Sequence, residues 1–322
     1  MKYNTENSSS NIISKFYYGL IKQNYRYITS PLRILPDFFV IGVVRSGTTS
    51  LFHYLNQHPN IAGALYDELG YFDDNYHLGV NWYKSLFPTI FTKKRIEKEQ
   101  GKFLSFDVTT RYIEQKSTAE NIKKIKPDMK IIVILRNPID RAYSNYMHHI
   151  RDGWENISFE KALDYENTRI IDNWGWSYHY MNTGMYYCQV KAYLENFKKI
   201  KIYLFEDFQS KDYLLRDLFA FLEVTEDEKL KDEKEYNISG YPRNKFIHNF
   251  INNDNTIKKI LKPMFKSILP NNTIQQIISI IKNKNLKKIA MGNDTRQRLG
   301  NIFKDDIKKL SNLIQKDLSH WQ

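Results

Sequence analysis

Two short stretches of this chain carry residue types able to hold phosphate. Gly42-Val43-Val44-Arg45-Ser46-Gly47-Thr48-Thr49 sets two glycines ahead of a run of hydroxyls that ends at Ser50. Glycine lets the backbone turn tightly, and the first N–H groups of a helix that follows can point at an anion. The spacing is that of a nucleotide-triphosphate P-loop, but Thr48 stands where such a loop needs its lysine. The cation sits inside the turn instead, at Arg45, where a guanidinium can face the oxygen that bridges a phosphate and the group being transferred from it. The other reading is an ordinary strand-to-helix turn in which Thr48, Thr49 or Ser50 caps the helix.

The second stretch follows the apolar run Lys130 to Leu135 and reads Arg136-Asn137-Pro138, after which Asp140 to Ile150 has a helical pattern carrying Arg141 and Ser144. The planar fork of Arg136 and the hydroxyl of Ser144 together suit a second phosphate. Alternatively, Arg136 pairs with Asp140, and Pro138 simply starts a helix. Asp107, Thr109 and Arg111 also follow a strand end, where ligands collect in α/β proteins, so they are assigned to an acceptor cleft. Trp82, Trp174 and Trp176 either stack on sugar rings or belong to the core. Glu206 and Asp207 end a further apolar strand and could hold magnesium in a nucleotide kinase, a rival disfavoured by the missing loop lysine.

For these corners to serve one ligand, the elements between them must line them up. Asp37 to Val43 is a short apolar, β-rich run, and strands are expected again at Phe103 to Val108, Lys130 to Leu135 and Lys201 to Phe205. Helical text separates them, including the segments 51–58, 117–125 and 183–197. Strands alternating with helices imply an α/β fold of three layers, a mostly parallel central sheet with helices on both faces and a P-loop-like strand-turn-helix. Residues 1–36 form a peripheral segment with an amphipathic stretch from Ile12 to Tyr27. Residues 37–322 are expected to be a single domain whose part from about 246 is helical and lysine-rich, with Ile257, Ile260 and Leu261 at helical spacing.

The 322 residues carry 48 Lys and Arg against 36 Asp and Glu, a formal charge of +12 that favours anionic ligands without choosing among them. A catalytically silent protein drawn to an anionic glycan or nucleic acid is the non-enzyme alternative; two phosphate-sized loops at strand ends argue against it, and no nucleic-acid partner is expected. Cys188 is the single cysteine, which excludes an intramolecular disulfide and a multi-cysteine metal site and points to a reducing compartment. With no apolar run long enough to span a bilayer and no signal-peptide pattern at the start, cytoplasmic residence is expected.

The segments 41–55 (IGVVRSGTTSLFHYL) and 134–146 (ILRNPIDRAYSNY) together resemble the two nucleotide signatures of the sulfotransferase superfamily that uses 3'-phosphoadenosine 5'-phosphosulfate (PAPS). Between them, Asp67 to Asp73 (DELGYFD) and the Gly79 to Tyr83 run resemble the heparan sulfate N- and 3-O-sulfotransferase branch. The resemblance covers about Asp37 to Phe208, with a fainter echo at Asn237 to Lys245. It implies PAPS as co-substrate, no metal, and a carbohydrate or glycolipid acceptor. Arg45, Ser46, Gly47, Thr48, Thr49, Ser50, Arg136, Ser144 and Arg243 would then bind the nucleotide, and Glu68 would be the catalytic base, assisted by Arg45. His77 matches a histidine of the same pattern. The chain departs from that branch in having Arg45 where the branch has lysine. It also has Asp107-Val108 where the branch has a Glu-Lys pair, which leaves Arg111 as the substitute cation.

Overall fold

Apolar β-rich runs and amphipathic stretches alternate along the chain, and a computed structural model folds them as a parallel sheet wrapped by helices. It describes residues 23–225, 241–242, 244, 281, 285–287 and 289–321. The amphipathic stretch up to residue 22, Arg243, and the helical text with Ile257, Ile260 and Leu261 lie outside the described residues.

The elements are, in order, α1 (Gln23–Ile28), β1 (Phe38–Val40), α2 (Thr48–Gln57), β2 (Ile61–Gly63), α3 (Gly79–Ser85), α4 (Ile90–Gln100), β3 (Leu104–Val108), α5 (Lys116–Ile125), β4 (Lys130–Leu135), α6 (Pro138–Asp152), α7 (Phe159–Asp164), α8 (Glu166–Ile171), α9 (Tyr186–Asn196), β5 (Lys199–Leu204), α10 (Lys211–Leu222), β6 (Tyr241–Pro242), β7 (Leu286–Lys287) and α11 (Asn293–Ile314). Cα packing divides them into two compact units. One comprises the described parts of Ile21–Arg141, Met185–Tyr236 and Phe303–Gln322; the other, those of Ala142–Gly184 and Asn237–Ile302. None of the described helices is long and apolar enough to cross a membrane.

The first unit holds the five-stranded sheet, in the order β2-β3-β1-β4-β5 with every pair parallel. A parallel sheet is covered on both faces, so its strands read as continuous apolar runs. Side chains alternate between those faces. Phe38 and Val40 join Phe106, Ile132 and Ile134 in a core closed by Leu51 and Leu55 of α2 and Leu214, Leu218 and Leu222 of α10. Phe39, between them in sequence, points the other way and meets Phe72 and Tyr112 edge to face, with centroids 5.5 and 6.0 Å away.

The sheet's central order puts β1 between β3 and β4, so the loops leaving all three strands emerge side by side. Local chemistry fixes two of these exits. Gly47 (φ 89°) caps α2 in the left-handed region, where a side chain would be strained. Asn137 accepts the Ile139 N–H at 3.0 Å through its side chain and Pro138 takes the first helical position, which starts α6 sharply after β4.

In the second unit, Glu155 and Arg169 form a buried two-pronged ion pair (2.7 and 3.2 Å), and the Arg169 guanidinium lies 4.8 Å from the centroid of Trp174. Trp174 is therefore packed on a structural arginine while remaining about half exposed.

Candidate active site

The turn after β1 is laced to its neighbours. Val43 N–H donates to Ile134 O at 2.7 Å, Ile134 N–H returns a bond to Gly42 O at 2.9 Å, and the buried Ser46 hydroxyl donates to Val43 O at 2.6 Å. Gly42 could be nothing else: at φ 153° its added Cβ would lie 2.8 Å from the Thr110 carbonyl and 2.7 Å from an Ile113 methyl. Arg45, at the tip of the turn, also has a positive φ of 68°. Thr48, Thr49 and Ser50 form the first turn of α2, and Leu51 makes the helix's first backward bond, to Gly47 O at 3.1 Å. This is the end of a helix where N–H groups and the dipole favour an anion.

Arg136, the first residue beyond β4, reaches this turn. Its Nη1 donates to the carbonyl of Arg45 at 2.7 Å, and its guanidinium lies 4.4 Å from the centroid of Phe205. The two stretches singled out in the sequence thus touch, arginine to arginine. Burial holds the Arg136 guanidinium below its ordinary value, with Asp140 the largest opposing influence. The buried Tyr186 hydroxyl donates to Arg136 O at 3.0 Å, while Asp306 accepts the Tyr186 N–H at 2.8 Å. Ser144 sits two turns along α6, buried, in the other compact unit from Arg136.

Glu68 is the next residue along this edge. It has a left-handed backbone (φ 57°) pinned by its N–H to Val108 O at 2.7 Å. Its carboxylate accepts the Thr110 hydroxyl at 2.7 Å and the Thr110 N–H at 3.1 Å. Since the Thr110 carbonyl lies against Gly42, one residue ties the carboxylate to the phosphate turn. Residue Glu68 is open to solvent, yet protein surrounds its carboxylate closely enough that burial pushes it up to about 7 against the pull of Thr110. A carboxyl near 7 can take or give a proton at neutral pH.

The residues assigned to the acceptor cleft divide. Asp107 and Thr109 are both 0% exposed: Asp107 accepts from Tyr83 (2.7 Å), Thr109 (2.8 Å) and Tyr112 (3.2 Å), so it ties β3 to the aromatic core. Burial pushes its carboxyl up to about 6. Arg111 is clamped by Asp73, at 2.9 Å, and by both oxygens of Asp74. Trp82 is half-buried on α3 with its ring 6.2 Å from Tyr71, and His77 is exposed with Nδ1 3.0 Å from Asp74 O. Glu206 and Asp207, the kinase reading's magnesium ligands, instead accept from the Trp321 indole N–H (3.3 Å) and the Leu204 N–H (2.8 Å).

Sequence reasoning missed Thr110, Tyr186, Trp321 and Glu114. The first three act through partners distant in sequence. Glu114 is a carboxyl that burial pushes up to about 7 and that feels the charge of Glu68. None belongs to a motif.

A parallel α/β sheet, a glycine turn without a lysine, a second arginine touching it and a raised carboxyl tied to it through Thr110 characterise this edge of the molecule. The sulfotransferase domain family matches residues 35–284, and the chain belongs to that family. The membrane-associated sulfotransferase kil1 of Dictyostelium discoideum is 33% identical over 144 residues, 45% of this chain and 29% of that protein. The mouse bifunctional heparan sulfate N-deacetylase/N-sulfotransferase 4 is 38% identical over 120 residues, 35% of this chain and 13% of that protein. The mouse heparan sulfate glucosamine 3-O-sulfotransferase 3B1 is 30% identical over 165 residues, 51% of this chain and 39% of that protein. The chain thus spans well under half the length of these curated relatives. A solved sulfotransferase from Alicyclobacillus acidocaldarius superposes with a TM-score of 0.61 at 27% identity, over 89% of this chain and 99% of that one.

Proposed function

We propose that the protein moves a sulfuryl group from PAPS to a hydroxyl or amine of a carbohydrate or glycolipid. The observation that carries this is the 2.7 Å bond from Arg136 to the Arg45 carbonyl, which brings two anion-seeking corners to one edge, as a nucleotide with a phosphate at each end requires. Relatives named for heparan sulfate support a carbohydrate acceptor.

In this reading Glu68 takes the proton from the acceptor as its oxygen or nitrogen bonds to sulfur, in line with the breaking bond from sulfur to the 5'-phosphate oxygen. Arg45 and the N–H groups opening α2 offset the charge left on that oxygen. Arg136 holds the 3'-phosphate. Thr110 aims the Glu68 carboxylate, and burial keeps it near 7, so that it is ionised enough to accept a proton and basic enough to keep it.

Calorimetric titration with adenosine 3',5'-bisphosphate tests the donor site. Arg136→Ala removes a charged hydrogen bond of ~1.5 to 3 kcal/mol and is expected to weaken binding roughly 10- to 150-fold. A wild-type protein that ignores the bisphosphate, or a variant that binds it equally well, overturns the reading.

A further inference from the structure

Carboxylates dominate the surroundings of Glu68. Arg111, the cation that sequence offers for an acidic acceptor, already has partners: its Nε lies 2.9 Å from Asp73 Oδ2 and its Nη2 donates to Asp74 Oδ1 at 2.7 Å, with Nη1 on the other Asp74 oxygen. One guanidinium between two carboxylates leaves that trio with a formal charge of −1. Asp67 and Asp107 add their charges to the field at Glu68, while Glu114 feels Arg141 and Arg111 more strongly than it feels Glu68. A sulfate or carboxylate brought here would face like charge.

The exposed side chains that flank this segment in sequence are of a different character. Leu65 and Tyr66, which precede Glu68, are 53% and 49% exposed; Tyr76, Leu78 and Val80, beyond Asp74, are 40%, 39% and 40% exposed. Tyr76 stands 5.4 Å from the buried Tyr71 ring, so an apolar surface runs from the core out to solvent. Exposed apolar side chains gathered in one short segment mark a place where an apolar partner is covered.

We propose that the acceptor is an uncharged molecule with an apolar body, such as the sugar hydroxyl or amine of a glycolipid, and not a polyanionic chain. Asp73 and Asp74 make this selection by neutralising Arg111. The inference rests on the sulfotransferase reading and narrows its acceptor.

The test compares three acceptors with PAPS: a short-chain alkyl glycoside, the same glycoside carrying one sulfate ester, and the free sugar. The wild type is expected to prefer the plain glycoside at least tenfold in kcat/KM over either alternative. Asp74 is largely exposed, so Asp74→Asn should fold; by loosening the clamp on Arg111 it is expected to narrow the plain-to-sulfated ratio about fivefold. Equal or better use of the sulfated glycoside, no turnover of either glycoside, or an unchanged ratio in Asp74→Asn overturns the inference. A parallel titration with adenosine 3',5'-bisphosphate separates the two failures. Binding with the wrong acceptor preference sinks only the acceptor class, whereas no binding sinks the sulfotransferase reading and this inference with it.

Discussion

At the residue scale, Glu68 does two things that usually conflict: it is reachable by solvent and it is held near a pKa of 7. Because burial raises this carboxyl, its proton-accepting form fills only as pH climbs through about 7. The kcat is therefore expected to rise through that pH to a plateau and to be about tenfold lower one unit below it. Glu68→Gln should lose ~10²- to 10⁴-fold in kcat together with that acidic limb, read from a pH series of initial rates. A variant that keeps the limb assigns it to another group, Glu114 first, since that carboxyl is also raised to about 7. Glu68 was legible in the sequence only through the DELGYFD resemblance. Its partner Thr110, forty-two positions away, was not, because nothing local marks a threonine whose hydroxyl and N–H both point at one distant carboxylate.

At the element scale, the strand-turn-helix at β1 and the strand-arginine-helix at β4 carry the proposed donor site, and both elements were legible because their signals are local. A run of β-branched residues ended by Arg136-Asn137-Pro138 fixes β4 at Lys130–Leu135, the bounds read from sequence. β2 (Ile61–Gly63) was not legible: three residues at a sheet edge leave no periodic pattern. Asp107 and Thr109 were placed by their position after a strand, a rule that finds the edge of a sheet but cannot tell which side chains turn inward; both bond within the core. Gly42→Ala tests how tightly the elements interlock. Its Cβ would strike the backbone of Thr110, which cannot yield as a flexible side chain would, so both the phosphate turn and the Glu68 anchor must shift. The variant is expected to lose bisphosphate binding at least tenfold and several kcal/mol of stability, measured by calorimetry and urea unfolding. Near-wild-type values for both would show that the turn is not held against Thr110.

At the scale of the molecule, the end of the described chain returns to the segment that follows β4. Trp321 is 1% exposed; its indole donates to Glu206, its carbonyl accepts from Asn137 at 3.3 Å, and its ring lies 6.4 Å from that of Tyr186. Residues remote in sequence thus brace Arg136 from behind. Trp321→Ala should cost ~3 to 5 kcal/mol of stability in urea unfolding and weaken bisphosphate binding, because the ring that packs against Tyr186, whose hydroxyl donates to the Arg136 carbonyl, is lost. Such closure depends on where the helices run in space, which is why the lysine-rich C-terminal text announced helix but not its purpose. The measurement that bears most directly on the whole account is transfer of labelled sulfuryl from PAPS to a glycoside by the wild type and by Glu68→Gln. The account predicts label in the wild-type product and at least a hundredfold slower transfer by the variant, with bisphosphate affinity unchanged. Equal transfer by both proteins, or none by a wild type that fails to bind the bisphosphate, would contradict it.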